Sequence, residues 1–144
     1  MALVYFDSSA LVKLVIEEDG SAVAARLWDG CDAALSSRLA YPEVCAALGA
    51  ARRNHDLDVD DLDIALRSWE EFWSAVRPVE LTATVERHAA DLSGRQQLRG
   101  ADAVHLASVM AVSSPDIVVA VWDRRLHTGA RAEGLAVAPA LLSS

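Results

Sequence analysis

The sequence predicts an α/β fold in which a parallel sheet is covered by helices on both faces. Short apolar runs of strand length alternate along the chain with longer segments whose apolar residues recur every three or four positions. The strand candidates are continuous apolar runs, which is typical of strands buried on both faces of a parallel sheet. Since the 144 residues are 53% hydrophobic and 24% charged, we expect one globular domain over residues 1–144.

The predicted elements follow one another in regular alternation. The first half of the chain predicts strands at 2–6 and 33–37, and helices at 8–17, 21–28 and about 39–54. The second half predicts helices at 58–76, 84–98, 102–112 and around 124–132, and strands at 77–81, 116–123 and 135–138. Asp7 and Asp123 fall at the carboxyl ends of two strands, where open α/β sheets bind their ligands.

Glu43 lies on the predicted helix 39–54 among apolar neighbours. The positions three and four residues away on a helix are Leu39, Ala40, Ala46 and Ala47. An ionised carboxylate facing the core without a partner would cost several kcal/mol, roughly the penalty of an isolated buried charge. Either Glu43 belongs to a site, or this stripe of small residues is partly exposed and the carboxylate reaches water.

Three aspartates lie where the predicted chain leaves a strand or begins a helix. Asp7 follows the strand 2–6, Asp102 opens the pattern GADAVHLASVMA as a possible N-cap, and Asp123 ends IVVAVW. Each of them could be a plain helix cap or turn residue. With Glu43, four carboxylates thus lie where the chain leaves a strand, begins a helix or crosses an apolar helix face. We expect them to belong to one functional site, because a single site accounts for all four positions at once.

Crowded carboxylates repel one another, and a divalent cation relieves that repulsion. Oxygen ligands without an organised histidine or cysteine favour Mg²⁺ or Mn²⁺ over zinc. We expect His105 to pack or to hydrogen-bond within its helix, and Cys31 and Cys45 to be small core residues. Because water on a carboxylate-held ion can attack a phosphodiester, the four carboxylates predict hydrolytic phosphoryl chemistry.

Four strings of the sequence resemble the acidic motifs of PIN domains, in the order and spacing of the VapC-type toxins of bacterial toxin-antitoxin pairs. They are VYFDSSALVKL, YPEVCAAL, RGADAVHLASV and VVAVWDRRL, and they span nearly the whole chain. The resemblance implies a three-layer α/β/α fold with a parallel sheet of about five strands in the order 3-2-1-4-5. It also implies a Mg²⁺- or Mn²⁺-dependent endoribonuclease that forms a homodimer and is inhibited by a cognate VapB-like antitoxin.

The same resemblance implies catalytic roles for the four acidic positions, Asp7, Glu43, Asp102 and Asp123. Of these, Asp7, Asp102 and Asp123 are the expected metal ligands, and Glu43 is expected to act through water. Ser9 is expected to orient Asp7 through a hydrogen bond. Trp122 departs from the family pattern, because many relatives have a small or hydroxyl residue just before the last aspartate.

The formal net charge of -8 argues against a surface that attracts nucleic acid by charge alone. Bound divalent ions would offset part of the acidic cluster. Five arginines could line a groove beside it, namely Arg52, Arg53, Arg124, Arg125 and Arg131. No apolar run reaches the length of a membrane span, so we expect a cytoplasmic protein with no membrane association.

Other readings of the acidic residues are weaker. A receiver-type phosphoacceptor domain needs a lysine late in the chain, whereas the only lysine is Lys13. A phosphatase resembling the haloacid dehalogenases would have an aspartate where Ser9 stands, and a serine hydrolase would have a GxSxG turn. The main alternative is a catalytically inactive PIN-like scaffold that acts as a protein-binding module.

Overall fold

The fold is a single parallel sheet with helices packed on both faces, seen in a computed structural model that describes residues 1–143. The strands are β1 (Leu3–Phe6), β2 (Ala33–Ser37), β3 (Val76–Val79), β4 (Val118–Ala120) and β5 (Ala136–Ala138). The helices are α1 (Ser8–Val15), α2 (Ser21–Gly30), α3 (Ala40–Arg53), α4 (Val59–Ala75), α5 (Ala83–Arg95), α6 (Gly100–Val112) and α7 (Arg124–Ala132). The expected alternation of strands and helices is confirmed.

The five strands are all parallel and lie in the order β3-β2-β1-β4-β5, as expected. The central strand β1 pairs through Val4 with Ala34 of β2 on one side and Val118 of β4 on the other. Along the chain, β2 and β3 are added on one side of β1, and β4 and β5 are then added on its other side. The gap between the carboxyl ends of β1 and β4 is therefore the topological switch point, where such sheets bind ligands.

The core consists of two layers, one on each face of the sheet. Successive residues of β1 point to opposite faces, as in any strand. Tyr5 packs with Leu106 of α6 in one layer, while Phe6 packs with Leu48 of α3 and Trp69 of α4 in the other. The helices that approach the switch point therefore come from both layers.

Two predicted boundaries near the acidic residues are wrong. The helix α6 begins at Gly100 with Arg99 as its N-cap, so Asp102 lies inside the first turn and is not the cap. The strand β4 ends at Ala120, which pairs with Phe6, the last residue of β1. Asp123 therefore follows the strand by three residues and caps α7.

The two cysteines do not lie fully inside the core. Both are free thiols with part of their surface exposed, so the expectation that they are small core residues holds only in part. They pack at the margin of the layer that contains Phe6. In the part of the chain that the structure describes, no helix is long and apolar enough to cross a membrane.

Candidate active site

A pocket of about 350 Å³ opens at the switch point, beyond the carboxyl ends of β1 and β4. All four acidic residues singled out in the sequence line it: Asp7, Glu43, Asp102 and Asp123. They come from four different segments of the chain and from both helical layers. The fold thus brings together carboxylates that lie up to 116 residues apart in sequence (Asp7 to Asp123).

Asp7 is the most buried of the four, with 2% of its surface exposed. It is the N-cap of α1, and its Oδ1 accepts hydrogen bonds from Ser9 Oγ at 2.6 Å and from the Ala10 amide at 2.9 Å. Burial raises the pKa of Asp7 to about 6, although the two hydrogen bonds oppose this rise and the charge of Asp123 adds to it. The site therefore holds Asp7 rigidly in a place where its negative charge is unfavourable.

Asp102 and Asp123 face the same pocket from two other helix N-termini. Asp102 is half-buried, and burial together with the charge of Asp123 raises the pKa of its carboxyl. Asp123 is exposed and caps α7, with its Oδ1 accepting from the Leu126 amide at 2.9 Å. Both Asp7 and Asp123 use Oδ1 for their caps, which leaves their Oδ2 atoms free of these bonds.

Glu43 is not in the core stripe of its helix. The fully buried residues of α3 are Ala40, Val44 and Leu48, and the Glu43 side chain is 26% exposed. It reaches His105, whose Nε2 lies 2.6 Å from Glu43 Oε1. Of the two alternatives for Glu43, the one in which its helix face is partly exposed to water is therefore correct. The carboxylate nevertheless lines the acidic pocket.

His105 packs in the core, which is one of the two expected alternatives, but its side-chain hydrogen bonds go to other elements of the fold. Its Nδ1 lies 2.8 Å from the Tyr5 hydroxyl of β1, and its Nε2 contacts Glu43 of α3. Both ring nitrogens are therefore occupied by protein, so His105 has none left for a metal ion. No local pattern could have revealed these contacts, because Tyr5 and Glu43 are 100 and 62 residues away in sequence.

Arg99 is the basic residue of the acidic pocket, and the sequence reasoning did not select it. Of the five arginines expected near the site, Arg52, Arg124 and Arg125 line three other pockets, and none of the five is among the lining residues of this one. Its position in the sequence could have indicated it, because Arg99 immediately precedes the GADAV string that carries Asp102.

Trp122 lies beside the site but does not line it. Its backbone amide donates to Ser9 Oγ at 3.1 Å, so the same hydroxyl links α1, Asp7 and the connection before Asp123. Its indole ring lines a neighbouring pocket, where the Lys13 ammonium lies 5.2 Å from the ring centroid. The large Trp122 side chain departs from the family pattern, but it does not fill the acidic pocket because it lines the neighbouring one.

The donor atoms suit a hydrated magnesium or manganese ion. Within residues 1–143, no group of three or more His, Cys, Asp or Glu side chains is arranged so that it could hold a metal ion by itself. Mg²⁺ keeps several water ligands and typically takes only one or two carboxylates from a protein. Four mutually repelling carboxylates around an open pocket fit that kind of binding better than an all-protein cage.

The match of this chain to a known family agrees with the fold and the pocket. The sequence model of the PIN domain matches residues 4–127, and the chain belongs to the PIN domain family. Ribonuclease VapC45 of Mycobacterium tuberculosis (strain CDC 1551 / Oshkosh) and Ribonuclease VapC49 of Mycobacterium tuberculosis (strain ATCC 25618 / H37Rv) are each 69% identical to it over 142 residues, which is 99% of either chain. The resemblance to VapC-type toxins is thereby confirmed.

Solved structures share the fold at low sequence identity. Mycobacterium tuberculosis VapC20, described as a Sarcin-Ricin loop cleaving toxin, superposes with a TM-score of 0.68 at 16% identity and covers 97% of this chain and 99% of its own. The VapBC2 structure from Rickettsia felis, bound to a DNA fragment from its promoter, gives 0.65 at 9% identity and covers 94% of this chain and 96% of the matched one. These likenesses establish a shared fold.

Proposed function

We propose that this chain is a metal-dependent endoribonuclease and the toxin component of a type II toxin-antitoxin system. The observation that carries the proposal is the pocket at the switch point, in which Asp7, Glu43, Asp102 and Asp123 converge. The two ribonuclease VapC relatives, 69% identical over nearly the full length of both chains, support the same activity.

The carboxylates supply a site whose charge calls for a cation. Burial and neighbouring carboxylates raise the pKa values of Asp7 and Asp102, so their ionised forms are disfavoured without a counterion. In the proposed assignment Asp7, Asp102 and Asp123 would bind a Mg²⁺ or Mn²⁺ ion directly or through its water ligands, and Glu43 would act through water. When bound, such an ion supplies an activated water and stabilises the charge on phosphodiester oxygens.

The other pocket residues position these groups and the substrate. Ser9 holds the Asp7 carboxylate in one orientation, which leaves Oδ2 turned away from the cap bonds. Arg99 places a guanidinium at the rim, where it is suited to contact an RNA phosphate with two hydrogen bonds. The positive charge of Arg99 offsets, near the pocket, part of the repulsion between RNA and a protein of net charge -8.

The proposal includes a partner, an assembly and a location. The matched structure from Klebsiella pneumoniae is described as a toxin-antitoxin complex and that from Rickettsia felis as VapBC2, which supports a VapB-like antitoxin as partner. Homodimerisation follows from the family resemblance. A cytoplasmic location fits a protein whose substrate is cellular RNA.

Cleavage of RNA by the purified chain tests the activity directly. We expect cleavage in MgCl₂ or MnCl₂, none in excess EDTA, and a loss of at least about 100-fold in Asp7→Asn, since that change removes a charge from the proposed metal site. Asp58→Asn is the matched control, because Asp58 also caps a helix by accepting from a backbone amide but lies outside the acidic pocket.

The control separates a catalytic carboxylate from a helix cap. Asp58→Asn should cleave at the wild-type rate. If Asp7→Asn also cleaves at that rate, Asp7 has no part in the mechanism. If the wild type cleaves no RNA with either metal, the chain is better described as the inactive PIN-like scaffold.

A further inference from the structure

We propose that His105 is a positioning residue that holds the Glu43 carboxylate at the acidic pocket through a hydrogen bond from its Nε2–H, while Tyr5 fixes the imidazole ring from the other side. The inference rests on the proposed function and adds a role for two buried residues that the metal assignment does not use. It derives from one continuous chain of hydrogen bonds that joins three elements.

The chain of contacts runs from the central strand to a helix of the opposite layer. The Tyr5 hydroxyl on β1 lies 2.8 Å from His105 Nδ1, and His105 Nε2 on α6 lies 2.6 Å from Glu43 Oε1 on α3. Tyr5 and His105 are 0% and 1% exposed, so water does not compete for the bond between them, while the Glu43 end of the chain is 26% exposed. In a low-dielectric interior such bonds are strong and fix the groups that make them.

The chemistry of the three groups defines the direction of each bond. An ionised carboxylate can only accept, so the contact with Glu43 places a proton on Nε2. With the proton on Nε2, the other ring nitrogen, Nδ1, is the acceptor for the Tyr5 hydroxyl 2.8 Å away. The His105 ring is thus held at both ends in a single tautomer.

Glu43 needs such support more than the three aspartates do. Asp7 and Asp123 are held by bonds to amides of their own helices, whereas the longer Glu43 side chain has His105 as its hydrogen-bond partner. His105 also lies one turn after Asp102 on α6, and residues three apart share a helix face. One side of α6 thus carries Asp102 into the pocket and holds Glu43 beside it.

The tautomer can be measured on the metal-free, full-length protein without RNA. In nitrogen NMR spectra of protein labelled at histidine, we expect the His105 ring to carry its proton on Nε2 and none on Nδ1. His105→Gln identifies its signals among the four histidines. In Tyr5→Phe the preference for one tautomer should weaken. A proton on Nδ1 in the wild type would overturn the proposal.

A double-mutant cycle tests whether His105 acts through Glu43. We expect His105→Leu to weaken Mn²⁺ binding in calorimetry, and to lower kcat for RNA, by about 10- to 100-fold, the usual effect of removing a group that orients a metal-site side chain. KM for RNA should not change. His105→Gln, whose amide can donate to Glu43, should recover part of the loss.

The decisive comparison is made in the Glu43→Ala background. There His105→Leu should cause no further loss of Mn²⁺ affinity, because the side chain that it positions is absent. An equal loss in both backgrounds would show that His105 acts independently of Glu43 and would refute the inference. Leu106→Ala controls for general loosening of α6, since Leu106 is fully buried on the same helix and should leave Mn²⁺ affinity unchanged.

The two proposals fail in distinguishable ways. If the wild type cleaves no RNA, the proposed function fails, while the tautomer and the Mn²⁺ cycle still decide the role of His105. If the wild type cleaves RNA and the cycle shows independence, only the positioning role is lost.

Discussion

At the scale of single residues, Asp7 combines a structural role with a charge that the fold disfavours. As an N-cap it accepts the Ala10 amide, which stabilises α1. As a carboxylate with 2% exposure it lacks the solvation that an ionised group needs. The substitution Asp7→Asn separates the two roles, because asparagine can still accept the Ala10 amide but carries no charge.

The stability of the metal-free protein should fall as pH rises through the Asp7 transition. Its pKa is raised from 3.8 to about 6, so the folded state binds this proton more tightly than the unfolded state. The resulting stabilisation is present below about pH 4 and is lost as pH rises through about 6, for a total of about 3 kcal/mol. Urea unfolding in EDTA from pH 4 to 8 measures it.

The Asp7→Asn variant isolates the contribution of this carboxyl group. The stability of Asp7→Asn relative to the wild type should rise between about pH 4 and about pH 6 and should level off at higher pH. A difference that does not change with pH would contradict the raised pKa of Asp7.

Gly20 is required by the packing of Trp122. It has a positive φ of 92°, and a Cβ there would lie 2.7 Å from Trp122 Nε1. We expect Gly20→Ala to destabilise the protein by about 1–3 kcal/mol, from left-handed strain together with this clash. Chemical denaturation checks it against Gly30→Ala, where a Cβ meets nothing within 4 Å and stability should be unchanged or slightly higher.

At the scale of elements, the acidic pocket is formed where four helices begin. Asp7 caps α1 and Asp123 caps α7, while Asp102 and Glu43 lie in the first turns of α6 and α3. The positive ends of the helix dipoles favour negative charge at these places. They offset part of the repulsion among the carboxylates and help the metal-free protein to fold.

The sequence predicted this arrangement in part. The motif order identified Asp7, Glu43, Asp102 and Asp123, and the continuous apolar strands predicted the parallel sheet that brings strand ends together. The start of α6 was placed two residues late, because Asp102 has the side chain of a cap and Arg99 does not. The contacts of His105 depend on how the two layers meet, which local periodicity does not encode.

The packing of α3 should matter both for stability and for the position of Glu43. Leu48 is fully buried one turn after Val44 on this helix. We expect Leu48→Ala to cost about 2–5 kcal/mol, the usual range for a leucine truncated in a core. Leu66→Ala on α4 is the control, because Leu66 is 36% exposed and its loss should cost less than about 1 kcal/mol. Thermal or urea unfolding distinguishes the two, and equal costs would contradict the packing described.

At the scale of the whole molecule, a chain of charge -8 is proposed to bind a polyanion. The electrostatic contact is then local, through the metal site and Arg99, and it should weaken as salt increases. The expectation of one domain over residues 1–144 stays a prediction. It is supported by the single sheet, whose strands run from the first residues to the last element of the chain.

Arg99→Gln should raise KM for RNA with little change in kcat. Removing one phosphate contact should also lower the slope of log KM against log salt concentration by about 1. Arg67→Gln is the matched control, because Arg67 pairs with Asp63 on the exposed face of α4, outside the pocket. An equal effect of the two substitutions would mean that Arg99 contributes only net charge.

The central claim is that the carboxylates form one cation-binding site. Thermal unfolding tests it most directly, when the wild type, Asp7→Asn and Asp102→Asn are each measured in EDTA and in millimolar Mn²⁺. A ligand that binds only the folded state raises its midpoint. We predict that Mn²⁺ raises the midpoint of the wild type and not those of the variants, and that the variants match or exceed the wild type in EDTA. If Mn²⁺ has no effect and both variants are merely destabilised, these aspartates stabilise helix N-termini and no metal site exists.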